Sequence, residues 1–245
     1  MPGEQRDQTG EAGRGAARPP APDGRRTRWD AHRAQRREQL LDAALSVLET
    51  AGPDFGLDQV AARAGVTRPV IYRHFADRAA LLSAMGERAV TRLMQRLMPA
   101  VFAEGPFDTR IRSSVAAFVE FLDESPGVYR LFALQPPAGG QDVVRAGQEF
   151  VVSAVAAVLG DHLRAFGHDD EVLVEVSARG LVGLVQHIAE WWVQQRSIDR
   201  EAVIGYLTRL VWAQIDGIAR GYGIVLEPGD SFSPDDIASR RSPRV

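Results

Sequence analysis

Residues 55–82, FGLDQVAARAGVTRPVIYRHFADRAALL, combine a tight-turn signal with cations on a short helix. Ala61 is small where two helices would cross, and Gly65, four residues later, can take the positive φ of a sharp turn between them. Thr67 is placed to cap the second helix, which leaves the amide groups and the positive end of that helix facing outward. A helix end of this kind favours an anion, and a DNA phosphate suits it.

The second helix of this segment is predicted to have two unlike faces. Ile71 and Phe75 are spaced for the core side, whereas Arg68 and Arg73 fall on the solvent side. An arginine in the major groove can bind guanine O6 and N7 with two hydrogen bonds, which is worth about 1–3 kcal/mol of discrimination. A small residue and a glycine between short helices also occur in ordinary bundles, so the cations and the longer motif carry the hypothesis of DNA binding.

The stretch AGVTRPVIYRHFADRAALL resembles the helix-turn-helix of the tetracycline-repressor (TetR) family of bacterial transcription regulators. The likeness in sequence covers about residues 37–82, and beyond it only helix order and length are similar. The resemblance implies that Tyr72 and His74 hold phosphates and that Arg68 and Val70 face bases. The DNA-binding residues that we predict are Arg63, Thr67, Arg68, Pro69, Val70, Tyr72, Arg73, His74 and Arg78.

Two positions depart from the family pattern. Arg78 stands where the family usually has lysine, and it retains a cation that can bind phosphate. Gly56 stands where Thr or Ser usually caps the first helix of the motif, so a hydroxyl contact to phosphate is missing. Glycine at a cap costs only about a few tenths of a kcal/mol relative to those residues, so the helix is still expected to form.

The rest of the chain shows helical periodicity and no period-two alternation. The pattern predicts an all-α protein. The family resemblance implies that an N-terminal three-helix helix-turn-helix DNA-binding domain precedes a larger helical domain for ligand binding and dimerisation. The predicted parts are a flexible Arg-rich arm over residues 1–32, the helix-turn-helix domain over 33–80, the effector-binding and dimerisation domain over 81–226 and a disordered tail over 227–245. The helices expected after Pro99 cover residues 108–124, 128–134, 142–166, 170–196 and 199–222.

Composition excludes several classes of protein. The chain has 245 residues, no cysteine and a net charge of −3, so disulfides, thiolate metal sites and a cysteine nucleophile are excluded. All cations are arginines, and those between Arg25 and Arg37 form a cluster that is either a solvated arm or an arm that follows the DNA minor groove. The longest apolar stretch, residues 150–159, is shorter than the roughly 18 residues of a membrane span, so a cytoplasmic protein is expected without a membrane partner.

No motif in the chain indicates catalysis. The five histidines, His32, His74, His162, His168 and His187, lack metal-ligand spacing, and neither a nucleophile elbow nor a phosphate- or dinucleotide-binding loop is present. We therefore expect no enzyme activity, no cofactor and no metal site. An all-helical enzyme with a fortuitous motif stays as an alternative.

The resemblance also implies a sensor cavity and a dimer interface in the second domain. The effector is expected to be a small apolar or aromatic molecule, and several of the side chains named here could equally be core. Candidate cavity residues are Phe118, Phe121, Tyr129, Phe132, Phe150, His187 and Trp191, and candidate dimer residues are Gly183, Leu184, Leu207, Leu210, Val211 and Ile218.

The function expected from these features is that of a homodimeric, ligand-responsive regulator. It would bind a palindromic operator in double-stranded DNA, most simply as a repressor that the effector releases. The open alternative is a DNA-binding activator, or an all-helical interaction protein, without a small-molecule effector.

Overall fold

The computed structural model describes residues 24–134 and 140–231. The chain divides into two units, Met1–Glu38 and Gln39–Val245. The described residues fold into helices, which confirms the predicted all-α class, and a π-helical turn (Arg130–Leu134) follows the sixth helix. The helices are α1 (Gly24–Ala51), α2 (Leu57–Ala64), α3 (Arg68–His74), α4 (Arg78–Val101), α5 (Phe107–Glu124), α6 (Pro126–Tyr129), α7 (Gly140–Ala165), α8 (Glu171–Gln195) and α9 (Arg200–Gly221).

Helix α1 is longer than the sequence pattern indicated. It begins at Gly24, so residues 24–32 are helical and the prediction of a flexible arm is wrong for them. Residues 25–51 contain neither glycine nor proline and are rich in Arg, Ala, Gln and Leu, which are good helix formers even without a regular apolar face. The remainder of the predicted arm, residues 1–23, lies outside the described residues.

The helix-turn-helix is built on a small apolar core. Leu48, Val60 and Ile71 are fully buried, and Phe75 is nearly so. Gly65 ends α2 in the left-handed conformation, with φ 63°, as the turn requires. Each short helix thus packs its apolar face inward, and the turn sets α3 across α2.

Helix α4 joins the helix-turn-helix to the larger helical region. Asp77 caps its start, since its Oδ1 accepts a hydrogen bond from the Ala80 amide at 2.7 Å. The helix was expected to end at Pro99, but it continues to Val101. Proline in the last turn removes only one backbone hydrogen bond, so the other contacts of that turn suffice to hold it.

Helices α5 to α9 surround a second part of the same core. Val119, Leu122, Trp192, Ile204 and Leu207 are almost completely buried there. The indole N–H of Trp192 donates to the carbonyl oxygen of Ile198 at 2.9 Å, which satisfies its polar group. This arrangement fixes α8 and α9 beside α5.

The chain after α9 is folded as far as Ser231. The amides of Phe107 and Asp108 donate to the carbonyl oxygens of Asp230 and Pro228 at 3.0 and 3.1 Å. The predicted disordered tail is therefore wrong for residues 227–231, because their backbone groups find partners at the start of α5. Residues 232–245 lie outside the described residues.

Two helices are more apolar over their whole length than the longest uninterrupted apolar stretch of the sequence suggested. Asp142–Ala165 and Glu171–Gln195 are long and apolar enough to cross a membrane by length and composition, a property that core helices of soluble proteins share. Arg179 within α8 binds Glu149 of α7 at 2.9 Å. Ionised side chains within a helix are costly in a bilayer, so this pair favours packing in water.

Candidate functional site

Helix α3 presents its polar side chains to solvent. Arg68, Pro69, Tyr72 and Arg73 are exposed, whereas Ile71 is buried beneath them. Tyr72 is 44% exposed, which is unusual for a large aromatic side chain. We call these four exposed residues the recognition surface; the structure brings them together on one side of a helix that its core contacts hold in place.

Arg68 is held in position by two neighbours. Its Nη1 lies 3.4 Å from Oδ2 of Asp58 on α2, and its Nη2 donates to the Tyr72 hydroxyl at 3.3 Å. The hydrogen bond with Tyr72 and the charge of Asp58 raise the pKa of Arg68, so it is fully ionised. The guanidinium is thus displayed on the surface, with two partners that a nucleic acid could replace.

The other predicted contacts around α3 differ in accessibility. Thr67 occupies the cap position, but its side chain makes no capping hydrogen bond; its carbonyl oxygen instead accepts from the Val70 amide at 2.9 Å. The predicted capping by the Thr67 hydroxyl is therefore wrong, and the hydroxyl is exposed. Val70 and His74 are half-buried, so they lie at the margin of the recognition surface.

The two remaining predicted arginines make structural contacts. Arg78 donates to the carbonyl oxygen of Pro53 at 2.9 Å, and its guanidinium lies 5.2 Å from the ring centre of Phe55. Arg63 donates to the Ser46 hydroxyl at 3.2 Å. Both side chains are exposed, but they also position the loop before α2 and join α2 to α1.

The sequence analysis missed a capping contact at the start of α2. The Gly56 amide donates to Oε1 of Gln59 at 2.7 Å. A polar side chain three residues into a helix is the signal that could have shown this contact. The glycine cap is therefore supported from within the helix.

A cavity of about 320 Å³ lies among α4, α5, α7, α8 and α9, with α6 and the π-helical turn at one side. Its walls are almost wholly apolar. Helix α4 contributes Ala89, Leu93 and Leu97, and α7 contributes Val151 and Val155. A volume of this order is suited to a small apolar molecule.

Four of the seven predicted cavity residues line the space: Phe118, Phe121, Tyr129 and Phe132. The predictions for Phe150, His187 and Trp191 are wrong. Phe150 is 55% exposed and Trp191 is 44% exposed, and His187 is exposed. They were selected by residue type, but their positions along α7 and α8 put them on the outer sides of these helices.

Two clusters of polar side chains border the cavity. At one, Arg110 and His162 line the wall beside Phe107, whose ring centre is 5.4 Å from that of His162. At the other, Tyr129 and Gln186 line the wall, and Gln186 donates to Glu190 at 3.2 Å. Burial, followed by the neighbouring Glu190, raises the pKa of Tyr129, which keeps the hydroxyl protonated.

Burial sets the charge states of Arg110 and His162 in the first of these clusters. Loss of water lowers the pKa of His162 most, and the positive charge of Arg110 lowers it further, against a hydrogen bond to the Val158 carbonyl oxygen that raises it. Burial also lowers the pKa of Arg110, although an arginine stays ionised. The result is a neutral imidazole beside a poorly hydrated cation. Within the described residues, no group of three or more His, Asp or Glu side chains is placed to bind a metal ion.

Glu49, in the last turn of α1, reaches the start of α6. Its carboxylate accepts hydrogen bonds from the Gly127 amide at 2.9 Å and the Val128 amide at 3.0 Å. A Cβ at Gly127 would lie 2.9 Å from Oε2 of Glu49, so this position is best filled by glycine. Because Val128 lines the cavity, one carboxylate joins the cavity wall to the helix-turn-helix.

The predicted dimer residues do not share one surface. Leu207 and Val211 are buried within the chain, and Ile218 is half-buried and lines the cavity, so the structure does not place these three side chains on an outer face. Their spacing of four and seven residues puts them on the inner stripe of α9. Gly183 and Leu210 are exposed and Leu184 is half-buried. Apolar residues that the sequence analysis missed on the outer sides of α8 and α9 are Val172, Val176 and Tyr206.

Comparison with known proteins identifies both parts of the chain. Residues 40–85 match the family "Bacterial regulatory proteins, tetR family", and residues 96–221 match "Tetracyclin repressor-like, C-terminal domain". The first range contains the helix-turn-helix, and the second contains the helices around the cavity. The division into a recognition part and a larger helical part is thus common to the chain and the family.

Individual relatives agree with this assignment. An uncharacterized HTH-type transcriptional regulator of Mycobacterium tuberculosis is 28% identical over 202 residues, 82% of this chain and 86% of the relative. The HTH-type transcriptional activator FasR of Mycolicibacterium smegmatis is 28% identical over 193 residues, 76% and 85% of the two chains. The transcriptional regulator FadR of Bacillus subtilis, solved in complex with stearoyl-CoA, has a similar fold, with a TM-score of 0.59 and 13% identity over 71% of this chain and 96% of that one. Matches to both halves of the fold show that the chain belongs to the TetR family of transcriptional regulators.

Proposed function

We propose that this protein is a cytoplasmic, dimeric regulator that binds a palindromic operator through the recognition surface and changes its DNA affinity when a small apolar molecule occupies the cavity. One observation carries the proposal. Helix α4 starts at Arg78, directly after the recognition helix, and the same helix lines the cavity with Leu93 and Leu97. A molecule in the cavity and DNA on α3 therefore act on the two ends of one helix.

The proposed response is a tilt of α4. An effector changes DNA affinity only if it binds one position of α4 better than the other. A tilt at the cavity end would change the spacing of the two recognition helices in a dimer, and matched half-sites lie about 34–36 Å apart on DNA. A coupling of about 1–3 kcal/mol between effector and operator is the usual scale.

Glu49 offers a second connection. It holds the first amides of α6, and α6 and the π-helical turn supply Val128, Tyr129 and Phe132 to the cavity wall. An effector that displaces this wall would pull on the last turn of α1 through the Glu49 carboxylate. The helix-turn-helix would then be moved from two sides, by α4 and by α1.

The outer sides of α8 and α9 are the surface that we assign to dimerisation. Val172 is 75% exposed, and Val176, Tyr206 and Leu210 are also exposed. Exposed apolar side chains on adjacent helices are typical of a partner surface. A two-fold dimer would present two recognition surfaces to an inverted repeat.

Repression by occlusion of a promoter is the simplest effect of such binding. FasR, a relative of this chain, is named an activator, so activation is the second candidate. The position of the operator distinguishes the two: a site that overlaps the promoter indicates repression, and a site upstream of it indicates activation. An interaction protein without an effector is the third reading, and a thermal-shift screen with apolar compounds tests it.

Selection of bound sequences from a randomised DNA library, followed by footprinting, tests the proposal. An enriched inverted repeat is expected, with binding that weakens steeply as salt rises, because phosphate contacts release counterions. Replacement of Tyr72 should weaken binding to all sequences, while replacement of Arg68 should relax specificity at one position. A folded, dimeric protein that enriches no sequence at low salt would overturn the proposal.

A further inference from the structure

Arg110 is the one arginine among the described residues that line the cavity, and its surroundings indicate which class of molecule the cavity could take. We propose that the cavity binds an apolar carboxylic acid, whose ionised carboxylate pairs with Arg110 and whose apolar body fills the space between α4 and α7. This inference rests on the proposed function, because it names the class of molecule that the sensor cavity takes.

Arg110 has hydrogen-bonding capacity to spare. Its Nη2 donates to the carbonyl oxygen of Val101 at 3.2 Å. Its Nε is buried and has no hydrogen-bond partner among the described residues. A buried N–H without a partner is costly, and a ligand oxygen at this point would satisfy it.

The positive charge of Arg110 also lacks a counter-ion. In residues 24–134 and 140–231, no carboxylate forms an ion pair with it, and the side chains that line the cavity include neither Asp nor Glu. Its other neighbours are uncharged: the ring of Phe107 has its centre 5.8 Å from Cζ, and His162, whose pKa is lowered by burial and by the charge of Arg110, is neutral at pH 7. A poorly hydrated cation of this kind is stabilised by an anion that enters with the ligand.

Apolar side chains cluster around Phe107 at this end of the cavity. Phe166, Ala219, Ile224 and Leu226 line the space there together with Phe107. Hydrogen bonds from the amides of Phe107 and Asp108 to residues 228 and 230 hold the returning C-terminal segment in place. Arg110 is half-buried, so its charge is less screened by water than a charge on an open surface, and an anion bound there would pair with it more strongly.

A carboxylate fits better than the alternatives. The planar guanidinium fork matches a carboxylate with two parallel hydrogen bonds. The rest of the wall is apolar, which excludes a ligand that carries several further charges. A neutral apolar molecule would leave both the Arg110 charge and its Nε without a partner.

Calorimetry with the full-length protein tests the inference without any DNA. The probes are octanoate, dodecanoate and palmitate at neutral pH, each compared with the primary alcohol and the coenzyme A thioester of the same chain length. The wild type is expected to bind at least one acid about tenfold or more tightly than its alcohol, which is the scale of one charge-assisted hydrogen-bonded pair. The thioester is expected to bind more weakly than the acid, because it lacks the carboxylate.

Two variants locate the preference. Arg110→Met keeps the apolar part of the side chain. This variant should bind the acid and the alcohol with about equal affinity, because the alcohol still binds while the acid loses its charged partner. Arg110→Gln, which can still donate to Val101, guards against a folding defect in the first variant and should behave in the same way. The matched control is Arg145→Met, which removes an exposed arginine of α7 and should leave the preference unchanged.

Several results would overturn the inference. These are equal binding of acid and alcohol by the wild type, no binding of any acid, tighter binding of the thioester, or an unchanged preference in both Arg110 variants. None of them affects the DNA selection experiment, which judges the regulator proposal separately. An enriched inverted repeat with no acid preference would leave the regulator proposal in place and remove only the carboxylate.

Discussion

The recognition surface and the cavity are built on opposite principles. The recognition surface consists of exposed, polar side chains on a seven-residue helix, and the buried Ile71 holds it from below. The cavity is formed mainly by apolar side chains from five long helices, α6 and the π-helical turn, and Arg110 is the one arginine among the described residues that line it. The first region needs few contacts to display its groups, whereas the second exists only when distant parts of the chain have packed. Substitutions on α3 should therefore change the affinity for DNA alone, and substitutions in the cavity should first change the affinity for the ligand.

The largest effect is expected from the recognition surface. Arg68→Ala combined with Arg73→Ala should weaken operator binding by about a hundredfold or more, since two arginines proposed to contact bases or phosphates are lost. Gel-shift titration at fixed salt measures the change, and a thermal melt checks the fold. Arg145→Ala, an exposed arginine on α7, is the control that should bind DNA as the wild type does. An unchanged affinity in the double variant would remove α3 from the DNA interface.

Two neighbouring serines of α5 distinguish the cavity side of this helix from its outer side. Ser114 lines the cavity, while Ser113 is exposed. Ser114→Phe should fill part of the space and lower the affinity for a cavity ligand by about tenfold or more, with operator binding intact. Ser113→Phe should change neither. Equal ligand affinity in the two variants would show that the ligand binds elsewhere.

These expectations also show where sequence reasoning succeeds. The helix-turn-helix could be predicted because its signals are consecutive: Gly65 for the turn, Ile71 and Phe75 for the core, Asp77 for the next cap. Each acts within a few residues, so no long-range packing had to be known. The unforeseen part here is contact detail, such as the Arg78 side chain on the loop before α2.

The cavity could be predicted only in outline. Phe150 and Val151 are adjacent and both apolar, yet only Val151 faces the space. Which of them faces inward depends on how α7 is rotated against α4, and that rotation depends on the whole bundle. Arg110 was missed for the same reason, since an arginine on an amphipathic helix normally points to water. Sequence alone likewise does not separate the outer apolar residues of α8 and α9 from the inner ones.

A smaller effect is expected from Glu49, which connects the cavity wall to the helix-turn-helix. Glu49→Gln replaces one acceptor oxygen by an amide group, so one of the two hydrogen bonds to the start of α6 is lost. The free energy of unfolding should fall by about 1 kcal/mol, and the effector should change operator affinity less than in the wild type. Glu104→Gln, at an exposed site after α4, is the matched control. Full coupling in Glu49→Gln would leave α4 as the only connection.

Low pH should reduce the stability of the protein through His162. Because its pKa is lowered on folding, the unfolded chain takes up a proton that the folded chain does not, and stability falls as the pH drops below about 6.5. His162→Gln should lose less stability than the wild type between neutral pH and the lowered pKa. Thermal melts across this pH range measure the difference, and parallel curves for the two proteins would contradict it.

The smallest effect concerns the surface ion pair beside α3. Asp58→Asn removes the carboxylate that holds Arg68, and both groups are well exposed. The pair contributes little to stability, so the melting temperature should hardly change. Operator affinity should rise by about twofold, because a negative charge near the phosphates is lost. A fall in affinity would mean that Asp58 orients Arg68 for DNA.

The most direct test measures operator affinity with the cavity empty and filled. The operator comes from the selection experiment, and the ligand is the compound that raises the melting temperature most in a thermal-shift screen. The wild type should lose operator affinity by about fivefold or more when ligand is bound, while Ser114→Phe should show a smaller loss at the same ligand concentration, because its cavity is less occupied. An operator affinity that is the same with and without bound ligand in the wild type would contradict the link between cavity and recognition surface.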